Sequence, residues 1–398
     1  MTATRPIRLG FYTGRNAVVD GDEVWVDTGV GVLVNALHDA FPDLRMAATA
    51  PPERLESHNM QLTLAPDRIR SLPYMSSLMK GTLHTVPARR VMREMEADCD
   101  LLVVQLAFQA PLALLRPRRP RLYHVFGDVA GVARTSGAYG GPLRLPAMAM
   151  AEGFHRLQRH LVQAPDARVV TNGQELLDHY PKAHGRPLIS STLPDADVDS
   201  VARSRPADAP FRVLFCGYFR PEKGLHHLLE AFAKILVDVP DAELLIVGPG
   251  TIAQLGPETE ALLAALPTDR VTVQGPIWDR TELYQTFADS DVMVLPSLGG
   301  EGTPRVLVEA RAFRCPVVAT TVGGVPSSVT DDVDGILIPP GDVDAIVRAV
   351  TSIARDEPRR RRLVDGGLER AHNSTTERFA RDVVEELLIL AETSGLRT

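Results

Sequence analysis

The sequence predicts an α/β protein built from two doubly wound domains, on three observations. From Phe211 onward short apolar runs alternate with helix-length amphipathic segments, the pattern of a parallel sheet with helices on both faces. The first half carries strand-like runs of the same kind, more widely spaced. The chain, at 398 residues, also exceeds what one hydrophobic core usually supports, so two domains of ordinary size are expected.

In the second half, 212–216, 243–247, 271–274, 292–295 and 317–320 read as strands, and 225–237, 257–266, 280–288 and 305–314 as helices. In the first half, 7–12, 101–106, 121–126 and 168–171 are candidate strands, and 17–27 and 131–146 are long polar loops. The stretch 191–210, with Pro194, Pro206 and Pro210, has no periodicity and reads as a linker. The expected division is 1–195 and 205–376. An amphipathic segment at about 377–398 closes the chain, with Phe379 to Leu390 at helical spacing.

Composition narrows the function. The chain is 44% hydrophobic and 23% charged, as soluble globular proteins are, and no apolar run approaches the ~18 residues needed to cross a bilayer. The N-terminus lacks the basic-then-apolar order of a signal peptide, so a cytoplasmic site is expected. Cys99, Cys216 and Cys315 are odd in number and far apart, which argues against a disulfide framework or a thiolate metal cage. A net charge of −7 disfavours nucleic acid, whose phosphates call for a basic face. Small-molecule chemistry is the better default. Basic clusters at 116–121 and 359–362 could touch anionic lipid heads, although solvated surface is the simpler reading. Lysine occurs only at 80, 182, 223 and 234, so each one is informative.

Two segments carry candidate chemistry. In 297–304, Ser-Leu-Gly-Gly-Glu-Gly-Thr-Pro, Thr303 suits an N-cap and Pro304 a first helical position. The helix start offers free N–H groups to an anion. Glu301, just before it, would repel phosphate and is better suited to accept hydrogen bonds from sugar hydroxyls. Glu309, about one and a half turns into the helix, could reach a second polyol such as ribose. Taken singly, either glutamate is better explained as a solvated residue. Glu309, however, stands between Val308 and Ala310 in a mostly apolar helix, where an unpaired charge is costly. In 215–224, Phe-Cys-Gly-Tyr-Phe-Arg-Pro-Glu-Lys-Gly, Gly217 permits close backbone approach. Arg220 and Lys223 bring positive charge to the same end of the sheet, where it would neutralise a leaving diphosphate. A surface lysine is the plainer reading of that segment alone.

Together these segments resemble the family-four retaining glycosyltransferases of the GT-B fold. The matching residues are Gly217 through Gly224 with its Pro-Glu-Lys-Gly, and Glu301 and Glu309 as two glutamates separated by seven residues. Pro316 to Thr320, Val322 to Pro326, Asp334-Gly335 and Pro339 to Asp342 add to them. The resemblance covers roughly 211–350. In the first half it is thinner, with Thr28-Gly29-Val30-Gly31 where the family has a glycine pair before its first helix.

The resemblance implies two Rossmann-like domains facing a cleft, with a UDP-, GDP- or dTDP-linked sugar bound to the second. It implies the diphosphate on Lys223 and on helix-start amides around Gly302, Thr303 and Pro304, the sugar on Glu301, the ribose on Glu309 and the base against Gly275-Pro276-Ile277. No metal or other cofactor is implied.

Three departures stand out. The family's phosphate-binding arginine after the glycine is Tyr218 here, so either Arg220 takes over or phosphate contact weakens. Gly302-Thr303-Pro304 replaces the commoner glycine-phenylalanine-glycine. A histidine that often ends a first-domain strand is missing, which leaves Asp128 or His124 as the polar candidate, a satisfied strand histidine being the alternative for His124.

The resemblance implies front-face hexosyl transfer with retention, in carbohydrate biosynthesis of a bacterial kind, to a polysaccharide, lipid-linked glycan or natural-product acceptor. A sugar-nucleotide epimerase and a non-catalytic nucleotide-sugar-binding subunit are the alternatives, because the fold does not fix the function.

Overall fold

A computed structural model describes residues 6–51, 58, 60–73, 84–106, 111–127, 144–299 and 301–396. The chain divides into two compact units, one of 1–192 with 376–398 and the other of 193–375.

Unit 1 contains β1 (Leu9–Asp20), β2 (Glu23–Val26), β3 (Arg45–Thr49), β4 (Met60–Gln61), β5 (Ile69–Leu72), β6 (Leu101–Leu106), β7 (Arg121–Val125), β8 (Ala167–Asn172) and β9 (Gly185–Leu188). Its parallel ladder runs β5-β3-β1-β6-β7-β8-β9. The order reverses between β1 and β6, where doubly wound sheets open a crevice at the carboxyl ends of their strands. The far half of β1 folds back antiparallel onto β2, with Asp20 opposite Glu23. The segment 17–27 is therefore a hairpin, not the polar loop expected. Its turn carries Gly21 at φ 61, and Val24 and Val26 bury one face completely.

The helix Thr376–Thr393 belongs to unit 1. Phe379, Val383, Leu387 and Leu390 join Leu9, Phe11 and Leu33 in one core, each such burial worth roughly 1.5–3 kcal/mol. Glu386 on the same helix pairs with Arg168 at 2.8 Å. The 116–121 cluster is not all surface. Arg121 is 1% exposed and pairs with buried Glu96 at 2.7 Å, because a guanidinium at a buried strand start needs an internal counter-charge. Cys99 and Cys315 are buried core residues and Cys216 is half-buried.

Unit 2 contains β10 (Arg212–Cys216), β11 (Glu243–Val247), β12 (Val271–Gln274), β13 (Val292–Leu295), β14 (Val317–Thr320) and β15 (Ile336–Ile338). They form one parallel sheet in the order β12-β11-β10-β13-β14-β15, with its reversal between β10 and β13. Leu225, Leu228, Phe232 and Ile235 of the helix Leu225–Asp238 bury against Phe215, Leu244 and Ile246. Beneath the helix Arg305–Ala312, fully buried Arg311 pairs with Asp334 at 2.8 Å and donates to the Ser328 carbonyl oxygen at 2.8 Å. Burial pulls the Arg311 guanidinium down to about 10, against the opposing pull of Asp334.

The stretch read as a linker is tied to this unit. Arg203 pairs with Asp291 at 2.9 Å. The Ser204 amide and hydroxyl both donate to Asp289 at 2.7 Å, and Arg314 pairs with Asp199 at 2.6 Å. Its polar composition satisfies the amino-terminal rim of the sheet.

Candidate functional site

The loops that follow β10 and β13 flank the reversal in unit 2, and a third follows β14. They interlock. The Leu298 amide donates to the Glu222 carbonyl at 2.8 Å, and the Thr320 hydroxyl donates to the Ser297 carbonyl at 2.6 Å. Gly224 is left-handed at φ 68, and a Cβ there would stand 2.0 Å from the Pro296 oxygen. Gly323 is left-handed at φ 53, and its Cβ would stand 1.9 Å from the Glu301 oxygen. Neither position tolerates a side chain without moving the loop beside it.

This packing brings two predicted residues together. Lys223 Nζ lies 2.6 Å from Glu301 Oε1, with the side chains 20% and 6% exposed. Buried Ser297 donates its hydroxyl to the same Oε1. Glu301 Oε2 is bonded to none of the described residues and remains an acceptor.

Arg220 is held differently. Its guanidinium lies over the Tyr218 ring, 5.0 Å from the centroid, and no carboxylate among the described residues pairs with it. Tyr218 is 54% exposed. The segment between them is pinned by the Phe219 amide, which donates to the Pro249 oxygen at 3.0 Å, and by the Lys223 amide, which donates to the Arg220 oxygen at 2.9 Å. The Lys223 charge is opposed by Glu301, whereas Arg220 has no such carboxylate partner among the described residues.

The helix after Glu301 runs Arg305–Ala312, with Pro304 as its cap residue at φ −68, ψ 119 and no side-chain cap bond. It thus begins one residue later than expected, because the extended ψ of Pro304 keeps that residue outside the helix. Thr303 does not cap the helix. It is 7% exposed and its hydroxyl has no partner among the described residues, a buried donor beside helix-start amides that lack intrahelical acceptors. Gly302 lies in the bend before it.

Glu309 is half-buried. The Cys216 thiol at the end of β10 is pushed up to about 12 by burial and by the Glu309 charge, which places this carboxylate by the same strand end. Gly217 donates to the Val247 oxygen at 3.0 Å, and a Cβ at Gly217 would meet nothing nearer than 3.8 Å. The close approach instead requires Gly248, whose Cβ would stand 1.9 Å from the Gly217 oxygen. Ile277 is half-buried in the loop after β12, beside Trp278, which is 75% exposed.

In unit 1, Gly29 lies inside the helix Thr28–Ala40, which Asp27 caps, rather than ahead of it. The side-chain cap at Asp27 starts the helix early. Asp128 lies outside the described residues. His124 is 5% exposed, with Nδ1 3.4 Å from Gln105 Nε2 and Nε2 3.2 Å from Asn172 Oδ1. It is a hydrogen-bonded histidine within the sheet. Among the described residues, no group of three or more His, Cys, Asp or Glu could hold a metal ion. No helix of the described residues is long and apolar enough to cross a membrane.

Sequence reasoning missed Ser297, Thr320 and Gly323, which hold Glu301. Ser297 immediately follows Pro296 at a strand end, and a small hydroxyl four residues before a candidate glutamate was the available signal.

Residues 199–370 match the glycosyl transferases group 1 family model. The chain is 35% identical over 165 residues to an exopolysaccharide phosphotransferase of Streptomyces coelicolor, covering 41% of this chain and 16% of that one. It is 34% identical over 158 residues to a phosphatidyl-myo-inositol mannosyltransferase of Mycobacterium leprae, covering 39% of this chain and 41% of that one. The chain thus spans less than half the length of these curated relatives. The crystal structure of Anabaena HepE in complex with UDP and glucose superposes with a TM-score of 0.67 at 18% identity, covering 96% of this chain and 100% of that one. That likeness, with the two parallel sheets, shows the GT-B fold class. The match to the glycosyl transferases group 1 family thus lies within the second unit, over residues 199–370.

Proposed function

We propose that this protein is a cytoplasmic glycosyltransferase that moves a hexose from a UDP-, GDP- or dTDP-linked sugar to a hydroxyl-bearing acceptor, with retention and without a metal. The observation that carries the reading is the Lys223–Glu301 pair, 2.6 Å apart, at the strand reversal of a unit matched over 199–370 to the group 1 family.

In this reading, the donor diphosphate lies against the Arg220 guanidinium, the Lys223 ammonium, the Thr303 hydroxyl and the helix-start amides. The free oxygen of Glu301 accepts a sugar hydroxyl, and Glu309 accepts from the ribose. The bond between the anomeric carbon and the diphosphate oxygen breaks, and the acceptor oxygen forms its bond on the same face. The departing diphosphate takes the acceptor proton. The cations stabilise charge as it develops on the leaving group, where preorganised charge counts most. HepE, crystallised with UDP and glucose, is consistent with a donor of this class.

The test is a donor panel with mass-spectrometric detection, followed by NMR of the product anomeric centre. Retention of configuration is expected, and inversion would overturn the front-face mechanism. Isomerised donor without an acceptor would favour an epimerase. Tight donor binding without turnover would favour a binding subunit.

A further inference from the structure

Glu301 Oε1 holds two donors of different kinds. One is the Lys223 ammonium at 2.6 Å, on a side chain 20% exposed. The other is the hydroxyl of Ser297, a residue with no exposed surface. An ammonium carries three donors on a flexible four-carbon stem and can turn toward another anion. The Ser297 hydroxyl has a single proton, and that proton is engaged on Oε1.

Ser297 is itself fixed in place. It follows Pro296 at the end of β13, and its carbonyl accepts from the hydroxyl of Thr320, which is 1% exposed, at 2.6 Å. The next amide, that of Leu298, donates to the oxygen of Glu222, the residue before Lys223. On the other side, the Gly324 amide donates to the Glu301 carbonyl at 3.3 Å. The serine thus sits in the frame that joins the loops after β10, β13 and β14, all within unit 2. Oε1 has one movable donor and one anchored donor.

The difference between them matters because the Glu301 side chain is only 6% exposed, and an ionised carboxylate with so little water needs partners. Were Lys223 the sole donor, drawing it toward a diphosphate would leave that carboxylate stripped, and the cost would subtract from binding. With Ser297 in place, Oε1 keeps a charge-assisted hydrogen bond throughout the exchange.

We propose that Ser297 is a positioning residue that holds Glu301 while Lys223 passes from its carboxylate to the donor diphosphate. The part given to the diphosphate rests on the transferase reading. The exchange breaks no covalent bond and moves no proton between residues. Lys223 changes anions, and Ser297 keeps Glu301 in the same position before and after.

Titration calorimetry on the full chain tests this with UDP, GDP and dTDP, using whichever binds the wild type. Ser297→Ala should weaken that nucleoside diphosphate about tenfold. In a Glu301→Gln background there is no carboxylate charge to strand, and in a Lys223→Ala background there is no ammonium to move. Ser297→Ala should therefore change affinity by less than about twofold in either. A serine that merely braces the loop would weaken binding by the same factor in all three backgrounds. Ser297→Cys keeps the shape with a weaker donor, and its affinity should fall between those of the wild type and Ser297→Ala. If Ser297→Ala does not fold, Ser297→Cys carries the same three-background comparison. Equal losses in all three backgrounds, or unchanged affinity in both Ser297 variants, would overturn the inference and leave the transferase reading standing. Failure of all three diphosphates to bind the wild type would overturn the transferase reading and the exchange with it.

Discussion

Lys223 and Glu301, 78 residues apart in sequence, meet at 2.6 Å because the Leu298 amide and the Glu222 oxygen bind their two loops together. The pair therefore belongs to a fixed frame. Its charges oppose each other, so in the proposed reading an incoming diphosphate would meet Arg220 and the helix-start amides before drawing on Lys223.

Lys223→Ala should lower turnover by about 2–4 kcal/mol of transition-state stabilisation and affect donor affinity less, because the charge is most needed as the diphosphate leaves. The same change strips Glu301 of its counter-ion, so Lys223→Ala combined with Glu301→Gln should cost less than the sum of the two single changes. Steady-state kinetics on the four proteins checks both statements. Unchanged turnover in Lys223→Ala would remove it from the site.

Gly323→Ala probes the support of Glu301. Its left-handed backbone and the 1.9 Å approach of a Cβ to the Glu301 oxygen should cost about 1–3 kcal/mol and shift the carboxylate. Thermal melts and kinetics should both register the change, with turnover falling more than donor affinity. A variant with wild-type turnover would show that the Glu301 loop tolerates displacement.

Much of unit 2 is legible in the sequence because β13, and β10 and β11 after their charged first residues Arg212 and Glu243, are unbroken apolar runs, the mark of a sheet covered on both faces. The first half is harder for identifiable reasons. Strand β3 reads Arg-Met-Ala-Ala-Thr, and alanine carries little strand preference. Strand β9 contains Pro187, which demotes a run unless it lies at an edge, as β9 does. The hairpin at 17–27 is hidden by the acidic turn Asp20-Gly21-Asp22, although an Asp-Gly pair between alternating valines is itself a hairpin signal. For the site, residue types and spacing single out Lys223, Glu301 and Glu309. The contact of Lys223 with Glu301, and the support from Ser297 and Thr320, depend on strand order that no local pattern encodes.

Glu309→Gln should keep the fold and weaken donor binding, since a charged acceptor for ribose hydroxyls becomes a neutral one. A 2′-deoxy donor should bind the wild type less well and lose little more in the variant. Calorimetry with both donors and both proteins decides this. An unaltered affinity would assign Glu309 a structural role.

Asp289 anchors the 199–210 segment, and its titration gives a signed prediction. Burial opposes its ionisation, but the Ser204 hydroxyl and the Ser204 and Arg205 amides outweigh it and hold the carboxyl below its ordinary range. A carboxyl depressed in the folded state contributes stability that is present above its unfolded value, about 4, and is lost as pH falls through the lower folded value. Asp289→Asn should therefore destabilise at pH ~7 and converge on the wild type as the acid range is entered. Urea melts across that range measure the convergence, and a constant difference would place the effect elsewhere.

The most direct test of the central claim is incubation of the full chain with UDP-, GDP- and dTDP-linked hexoses, with mass-spectrometric detection of the released nucleoside diphosphate. One donor class should be consumed, slowly by water and faster once a hydroxyl acceptor is supplied, and Lys223→Ala and Glu301→Gln should each suppress that consumption. A chain that neither binds nor consumes any of these donors, or that consumes one at the same rate in both variants, would contradict the account.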